Sequence, residues 1–133
     1  MLKIENLTGG YVNIPVLKNI SFEVADGELV GLIGLNGAGK STTINEIIGL
    51  LQPYEGKISI DGLTLADQEM AYRKKIGFIP ETPSLYEELT LKEHLEMIAM
   101  AYDIKVEAAL ARAQKLLELF RLEDKLDWFP IHF

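Results

Sequence analysis

No cysteine occurs among the 133 residues of the sequence, and basic side chains are outnumbered by acidic ones. The missing cysteines exclude disulfides, thiol chemistry and cysteine metal sites, and they suit a reducing cytoplasm. The 13 basic residues against 20 acidic ones give a formal charge of −7. A broad basic surface for nucleic acid or anionic lipid is therefore not predicted, and any bound phosphate must be held by a local site.

Long hydrophobic runs are also missing. The longest apolar run, residues 29–35, is too short and too rich in glycine to cross a bilayer, which takes about 20 residues. The N-terminus carries charges where a signal peptide would keep an apolar run, so no export signal is predicted. A content of 48% hydrophobic and 25% charged residues is typical of one globular domain.

The hydrophobic pattern predicts two kinds of strand. Period-two alternation at residues 2–7 and 20–24 indicates an antiparallel sheet, and residues 57–60 add a further short strand. Residues 29–33 form a continuous apolar run interrupted only by a glycine, which predicts a strand buried on both faces, and residues 76–79 predict a second such strand.

Helical spacing of apolar residues predicts the remaining elements. One amphipathic helix is expected over residues 40–51, another over 67–75, and helix again from Leu91 onward. The last long helix carries one apolar stripe, which consists of Val106, Leu110, Ala113, Leu117 and Phe120.

Residues 34–41 read GLNGAGKS and match G-x-x-x-x-G-K-S/T, the phosphate-binding loop, between a predicted strand and a predicted helix. The glycines allow backbone N–H groups to surround phosphate oxygens at the positive end of the helix. Lys40 is expected to reach the β- and γ-phosphates, Ser41 to bind Mg²⁺, and Thr42 to reach the α-phosphate. The alternative is a glycine-rich turn with a solvated lysine.

The segments around the loop narrow the interpretation. Tyr11, residues 16–22, residues 26–28, residues 56–62 and residues 76–80 occur in an order and spacing that resemble the ATP-binding subunit of ABC transporters. The resemblance extends over the whole chain. The stretches IGFIPETP and LDWFP are most similar to bacterial exporter-type subunits of the Ecs kind.

This resemblance implies an α/β fold: a P-loop NTPase core with a parallel sheet, an N-terminal antiparallel β subdomain and the start of a helical subdomain. Residues 1–133 would form the N-terminal portion of a nucleotide-binding domain. Residues 1–80 would hold the β subdomain and the phosphate-loop core, and residues 81–133 the Q-loop region and the first part of the helical subdomain. The family's signature segment and catalytic glutamate would follow Phe133, so the chain alone is expected to hydrolyse ATP negligibly.

The resemblance also implies residue roles. An aromatic residue at the place of Tyr11 stacks on adenine in the family; the alternative is a tyrosine in a surface loop. Glu81 stands where the family has a glutamine that touches Mg²⁺ and the attacking water, and a carboxylate can ligate Mg²⁺ but only accepts hydrogen bonds; the alternative is a solvated charge. Lys40 and Glu81 are the expected catalytic residues. The residues expected to contact the phosphates and Mg²⁺ are Asn36, Gly37, Ala38, Gly39, Lys40, Ser41 and Thr42.

The expected cofactors are ATP and Mg²⁺. The expected partners are a transmembrane permease subunit, which Leu85 and Tyr86 would contact unless they pack inside, and a second ATP-binding subunit. The protein would lie in the cytoplasm, peripheral on the inner face of the membrane, and couple ATP binding and hydrolysis to transport. His94 and His132 are interpreted as ordinary surface or packing residues.

Two other functions remain as alternatives. One is a soluble ABC-type ATPase in translation or DNA repair, which the acidic charge disfavours because no nucleic acid partner is expected. The other is an unrelated P-loop kinase or switch protein, in which the Tyr11 region and the segment after Ile79 have no place.

Overall fold

The computed structural model describes all residues 1–133 and consists of two compact units, an N-terminal unit of residues 1–78 and a C-terminal unit of residues 79–133. None of its helices has both the length and the apolar character needed to cross a bilayer.

The N-terminal unit is built on a three-stranded antiparallel sheet in the order β2-β1-β3. The strands are β1 (Leu2–Tyr11), β2 (Ile14–Val24) and β3 (Glu55–Ile60). The predicted antiparallel strands are confirmed, and β1 and β2 are longer than predicted because they continue to a two-residue turn. Val12 and Asn13 form that turn with φ of 49° and 63°, in the left-handed region that matches the twist of a hairpin.

Alternation along the strands places one face of the sheet in the core. Ile4, Leu7 and Leu17 are buried there, and Ile47 of the first helix packs against them. The first helix, α1, spans Lys40–Ile47. It is shorter than the predicted helix because Gly49 adopts φ 77° and ends it, with the Leu50 amide donating to the Asn45 carbonyl at 2.8 Å.

The second helix, α2, spans Leu65–Arg73 and begins at Thr64, whose hydroxyl accepts a hydrogen bond from the Asp67 amide. Tyr72 on α2 is buried, and its hydroxyl donates to the Ile47 carbonyl at 2.7 Å. This bond joins α2 to the C-terminal end of α1 and occupies a carbonyl that the end of a helix would otherwise leave unpaired.

The two predicted buried strands are not formed. Residues 29–33 and 76–79 lie outside every strand, Leu29 and Ile33 are 98% and 95% exposed, and the sheet contains no parallel pair. An apolar run becomes a buried strand only when its N–H and C=O groups pair with neighbouring strands. Within residues 1–133 these two segments find no such neighbour, so the prediction of burial on both faces is wrong for this chain.

The C-terminal unit contains α3 (Leu91–Ala101), α4 (Val106–Phe120) and a short 3₁₀ helix (Pro130–His132). Ala99 of α3 and Ala113 and Leu117 of α4 are buried, so helical spacing identified the packed face. Phe120, predicted at the end of the same stripe, is 65% exposed. It is the last residue of α4, and the chain leaves the helix at Arg121 with φ 58°.

Candidate phosphate-binding site

The predicted phosphate-binding loop leads directly into α1. Gly37 and Gly39 have φ of 82° and 90°, in the left-handed region that other residues rarely adopt, and Gly39 is the N-cap of α1. A Cβ atom on Gly39 would lie 2.5 Å from Leu17 Cδ2. Gly39 is therefore required both for the backbone conformation and for close contact between the loop and β2.

Lys40 folds back over the loop that precedes it. Its Nζ donates hydrogen bonds to the Gly34 carbonyl at 2.6 Å and to the Leu35 carbonyl at 2.8 Å. An ammonium group has three donors, so one remains for another acceptor. The charge lies at the N-terminus of α1, where unpaired amides already favour an anion. The alternative of a freely solvated lysine does not describe this side chain.

Three consecutive hydroxyl side chains follow Lys40, and they have different surroundings. Ser41 is exposed, whereas Thr42 and Thr43 are buried. The Thr43 hydroxyl donates to the Gly39 carbonyl at 2.9 Å and so closes the first turn of α1. The sequence reasoning missed this role of Thr43, although the Ser-Thr-Thr run offered a signal for it.

Tyr11 ends β1 beside the same helix. Its hydroxyl lies 3.5 Å from Asn45 Nδ2, which donates to it, and its side chain is 46% exposed. The β1–β2 hairpin also touches the loop itself, because Leu17 of β2 contacts Gly39. Tyr11 and the phosphate-binding loop thus both lie next to α1.

A further residue of α1, Glu46, was not predicted from the sequence. It is fully buried, and neither carboxylate oxygen has a hydrogen-bond partner. A Cβ on Gly9 of β1 would overlap its Oε1 atom. Burial raises the pKa of the Glu46 carboxyl above its ordinary value of 4.5.

The other predicted residues lie in the C-terminal unit. Glu81 is exposed, as are all residues of the segment 81–88. Leu85 and Tyr86 are 56% and 59% exposed, so the alternative that they pack inside is wrong.

Comparison with known proteins places this geometry in a family. The profile of the ABC transporter family matches residues 17–130, which include the loop, α1 and most of the C-terminal unit. The chain belongs to the ABC transporter family.

One relative within the ABC transporter family is the ABC-type transporter ATP-binding protein EcsA of Bacillus subtilis (strain 168). It is 55% identical over 133 residues, which are 100% of this chain and 54% of EcsA. The chain therefore spans about half the length of this curated relative. The predicted likeness to the Ecs kind is confirmed.

Two solved structures of ABC proteins confirm the fold class. An ATP-binding subunit of an ABC transporter is 53% identical with a TM-score of 0.92, covering 100% of this chain and 55% of that one. A dimeric ATP-binding cassette bound to ADP and Pi is 30% identical with a TM-score of 0.79, covering 100% of this chain and 63% of that one. Membership of the ABC transporter family excludes the alternative of an unrelated P-loop kinase or switch protein.

Proposed function

We propose that this chain binds ATP with Mg²⁺ and supplies the phosphate-binding loop of an ABC transporter ATPase, which couples ATP binding and hydrolysis to transport across a membrane. The observation that carries the proposal is the loop itself. Its two left-handed glycines precede α1, and Lys40 lies over the loop in a chain of this family.

The phosphates would be bound by backbone amides and one cation. The amides of residues 36–40 precede or begin α1, where the helix dipole adds a partial positive charge. Lys40 supplies the full charge for the β- and γ-phosphates by exchanging its two carbonyl acceptors for phosphate oxygens. Asn36, Gly37, Ala38 and Gly39 shape the loop, and Thr42 would serve the α-phosphate.

Ser41 is the proposed protein ligand for Mg²⁺, because its hydroxyl is exposed and hard oxygen ligands suit this ion. Glu81 is a second oxygen donor, proposed as a metal ligand and a catalytic residue together with Lys40. When bound, Mg²⁺ neutralises charge on the phosphate oxygens. Tyr11 is proposed to stack on adenine, for which its half-exposed ring offers a flat apolar face.

The proposed partners are a transmembrane permease subunit and a second ATP-binding subunit, with the protein held at the inner face of the membrane through the permease. EcsA is named as a transporter ATP-binding protein, and the cassette bound to ADP and Pi was solved as a dimer; both support this assembly. Leu85 and Tyr86 are proposed to contact the permease.

Calorimetric titration with Mg-ATP tests the proposal on the chain. Lys40→Ala removes the ammonium group from the loop, and we expect it to weaken binding by at least about tenfold, the usual effect of one charged hydrogen bond. Lys18→Ala removes an equal charge from an exposed position on β2 and should leave binding unchanged. Equal affinities of the Lys40→Ala variant and the unsubstituted chain would overturn the proposal.

A further inference from the structure

We infer that His94 is a positioning residue that fixes the backbone of the turn at residues 86–89 to the start of α3. This inference rests on the proposed function only in its consequence, because the turn carries Tyr86 and directly follows Leu85. The contacts themselves lie entirely within the C-terminal unit.

The backbone amides in the first turn of α3, to which residues 86–89 are bonded, all have hydrogen-bond partners. The amides of Leu91 and Lys92 donate to the carbonyls of Trp128 and Leu126 at 3.0 and 2.9 Å. Thr90 and Glu93 form a reciprocal capping box. The amides that a helix N-terminus usually leaves unpaired are thus bonded to protein groups, which holds this turn in one conformation.

The segment before α3 has few internal bonds by comparison. All side chains from Glu81 to Glu88 are exposed, and the Leu89 amide bonds to the Tyr86 carbonyl at 3.1 Å. The Tyr86 amide donates to His94 Nε2 at 3.1 Å. His94 is therefore the side chain that ties the turn at residues 86–89 to the helix.

Both nitrogens of the His94 ring are used, and their partners define the tautomer. Nδ1 lies 2.8 Å from the Thr90 carbonyl, which can only accept, so Nδ1 carries the proton. Nε2 receives the Tyr86 N–H and must be bare. Only neutral histidine protonated at Nδ1 satisfies both bonds, since a proton on Nε2 would face the Tyr86 N–H directly.

The consequence concerns how Leu85 and Tyr86 are displayed. The Tyr86 backbone is held at its amide, and the Tyr86 ring lies 6.1 Å from the His94 ring, centroid to centroid. When these apolar side chains are held in one arrangement before binding, less conformational entropy is lost when a partner binds. His94 thus acts through Tyr86.

Nitrogen-15 NMR of the histidine rings at neutral pH is the first test. We expect His94 to show a protonated Nδ1 and an unprotonated Nε2. His132 is the internal control, because it is exposed at the end of the short 3₁₀ helix. A proton on Nε2 of His94 would overturn the inference, whatever the outcome of the variants.

Amide hydrogen exchange is the second test. His94→Ala should speed exchange at the Tyr86 amide by about fivefold, the effect of one lost hydrogen bond, without altering protection in α4. His132→Ala should leave it unchanged, and His94→Gln, which keeps an acceptor, should restore part of the protection. Unchanged exchange at Tyr86 in His94→Ala would refute the inference. If His94→Ala also loses protection in α4, the variant is disturbed as a whole, and His94→Gln is measured in its place. If His94→Gln then loses all protection at the Tyr86 amide while α4 stays protected, the result counts against the inference.

Mg-ATP binding by the same variants separates this inference from the proposed function. His94→Ala should bind nucleotide like the unsubstituted chain, because its contacts lie in segment 86–94. Absence of binding in every variant would remove the proposed function and leave the exchange result intact. Weakened binding in His94→Ala with unchanged exchange at Tyr86 would show a role for His94 other than the one inferred.

Discussion

Glu46 gives a specific prediction about stability, because its side chain is fully buried and its carboxylate has no hydrogen-bond partner. Its two carboxylate oxygens have no hydrogen-bond partner and lie against Gly9. A buried polar group without a partner costs about 1–3 kcal/mol, and an ionised one costs more. Glu46→Met keeps an unbranched side chain of similar length and removes that cost. We expect the variant to gain about 1–3 kcal/mol in the free energy of unfolding at pH 7.

The gain should depend on pH in a defined direction. Burial raises the pKa of Glu46 above 4.5 in the folded state, so the folded protein binds this proton more tightly than the unfolded chain does. The associated stability is fully present below the unfolded pKa and is lost as pH rises through the folded pKa. The difference between Glu46→Met and the unsubstituted chain should therefore grow from about pH 4 upward and then level off.

Other carboxyls act in the opposite direction, so the difference between the two proteins is the quantity to measure. The N-terminal ammonium and Lys75 lower the pKa of Asp61 to about 2, and hydrogen bonds from Thr90 lower the pKa of Glu93. Their stability is lost as pH falls. Both proteins share this background, and it cancels in the subtraction.

Urea unfolding followed by circular dichroism at several pH values is the assay. Glu118→Met, at an exposed position of α4, is the matched control and should change stability by only a few tenths of a kcal/mol. The reasoning is refuted if Glu46→Met is no more stable than the unsubstituted chain at pH 7, or if its gain is the same at pH 4 and pH 7.

Three substitutions test local features by the same unfolding assay. Gly39→Ala should lose at least about 1–2 kcal/mol in the free energy of unfolding and weaken Mg-ATP binding, because its Cβ would meet Leu17 at a left-handed φ. Gly31→Ala has open space around it and should be tolerated. Equal losses in the two variants would contradict this prediction. Thr90→Ala should lose about 1 kcal/mol with the capping box, and no loss would count against the cap. Val12→Asn should gain about 1 kcal/mol at φ 49°, and a loss would show that the valine is needed at the turn.

The sequence was sufficient for features that depend on local spacing. The phosphate-binding loop could be predicted because Gly37 and Gly39 adopt backbone conformations that other residues rarely adopt, and such a requirement is visible in the local sequence. The antiparallel strands could be predicted because more buried and more exposed residues alternate along them, as in β2. The error at residues 29–33 has a different origin: an apolar run indicates that burial is favourable, but the burial itself depends on neighbouring strands.

Glu46 and His94 were missed for a related reason. A glutamate among isoleucines at helical spacing is normally assigned to the solvent face, and only the approach of Gly9 places this one in the core. A single histidine in a helix carries no signal of its own. Its role depends on the Tyr86 amide, which lies eight residues earlier in the chain.

The helix α1 is held at both ends by one cross-strand pair of the β1–β2 hairpin. Gly39, at the start of α1, contacts Leu17, and Glu46, near its end, contacts Gly9. Gly9 and Leu17 are partners across β1 and β2, so both ends of α1 are fixed to the same point of the hairpin. The same hairpin carries Tyr11. The position of Lys40 relative to Tyr11 therefore depends on these two contacts between α1 and the hairpin.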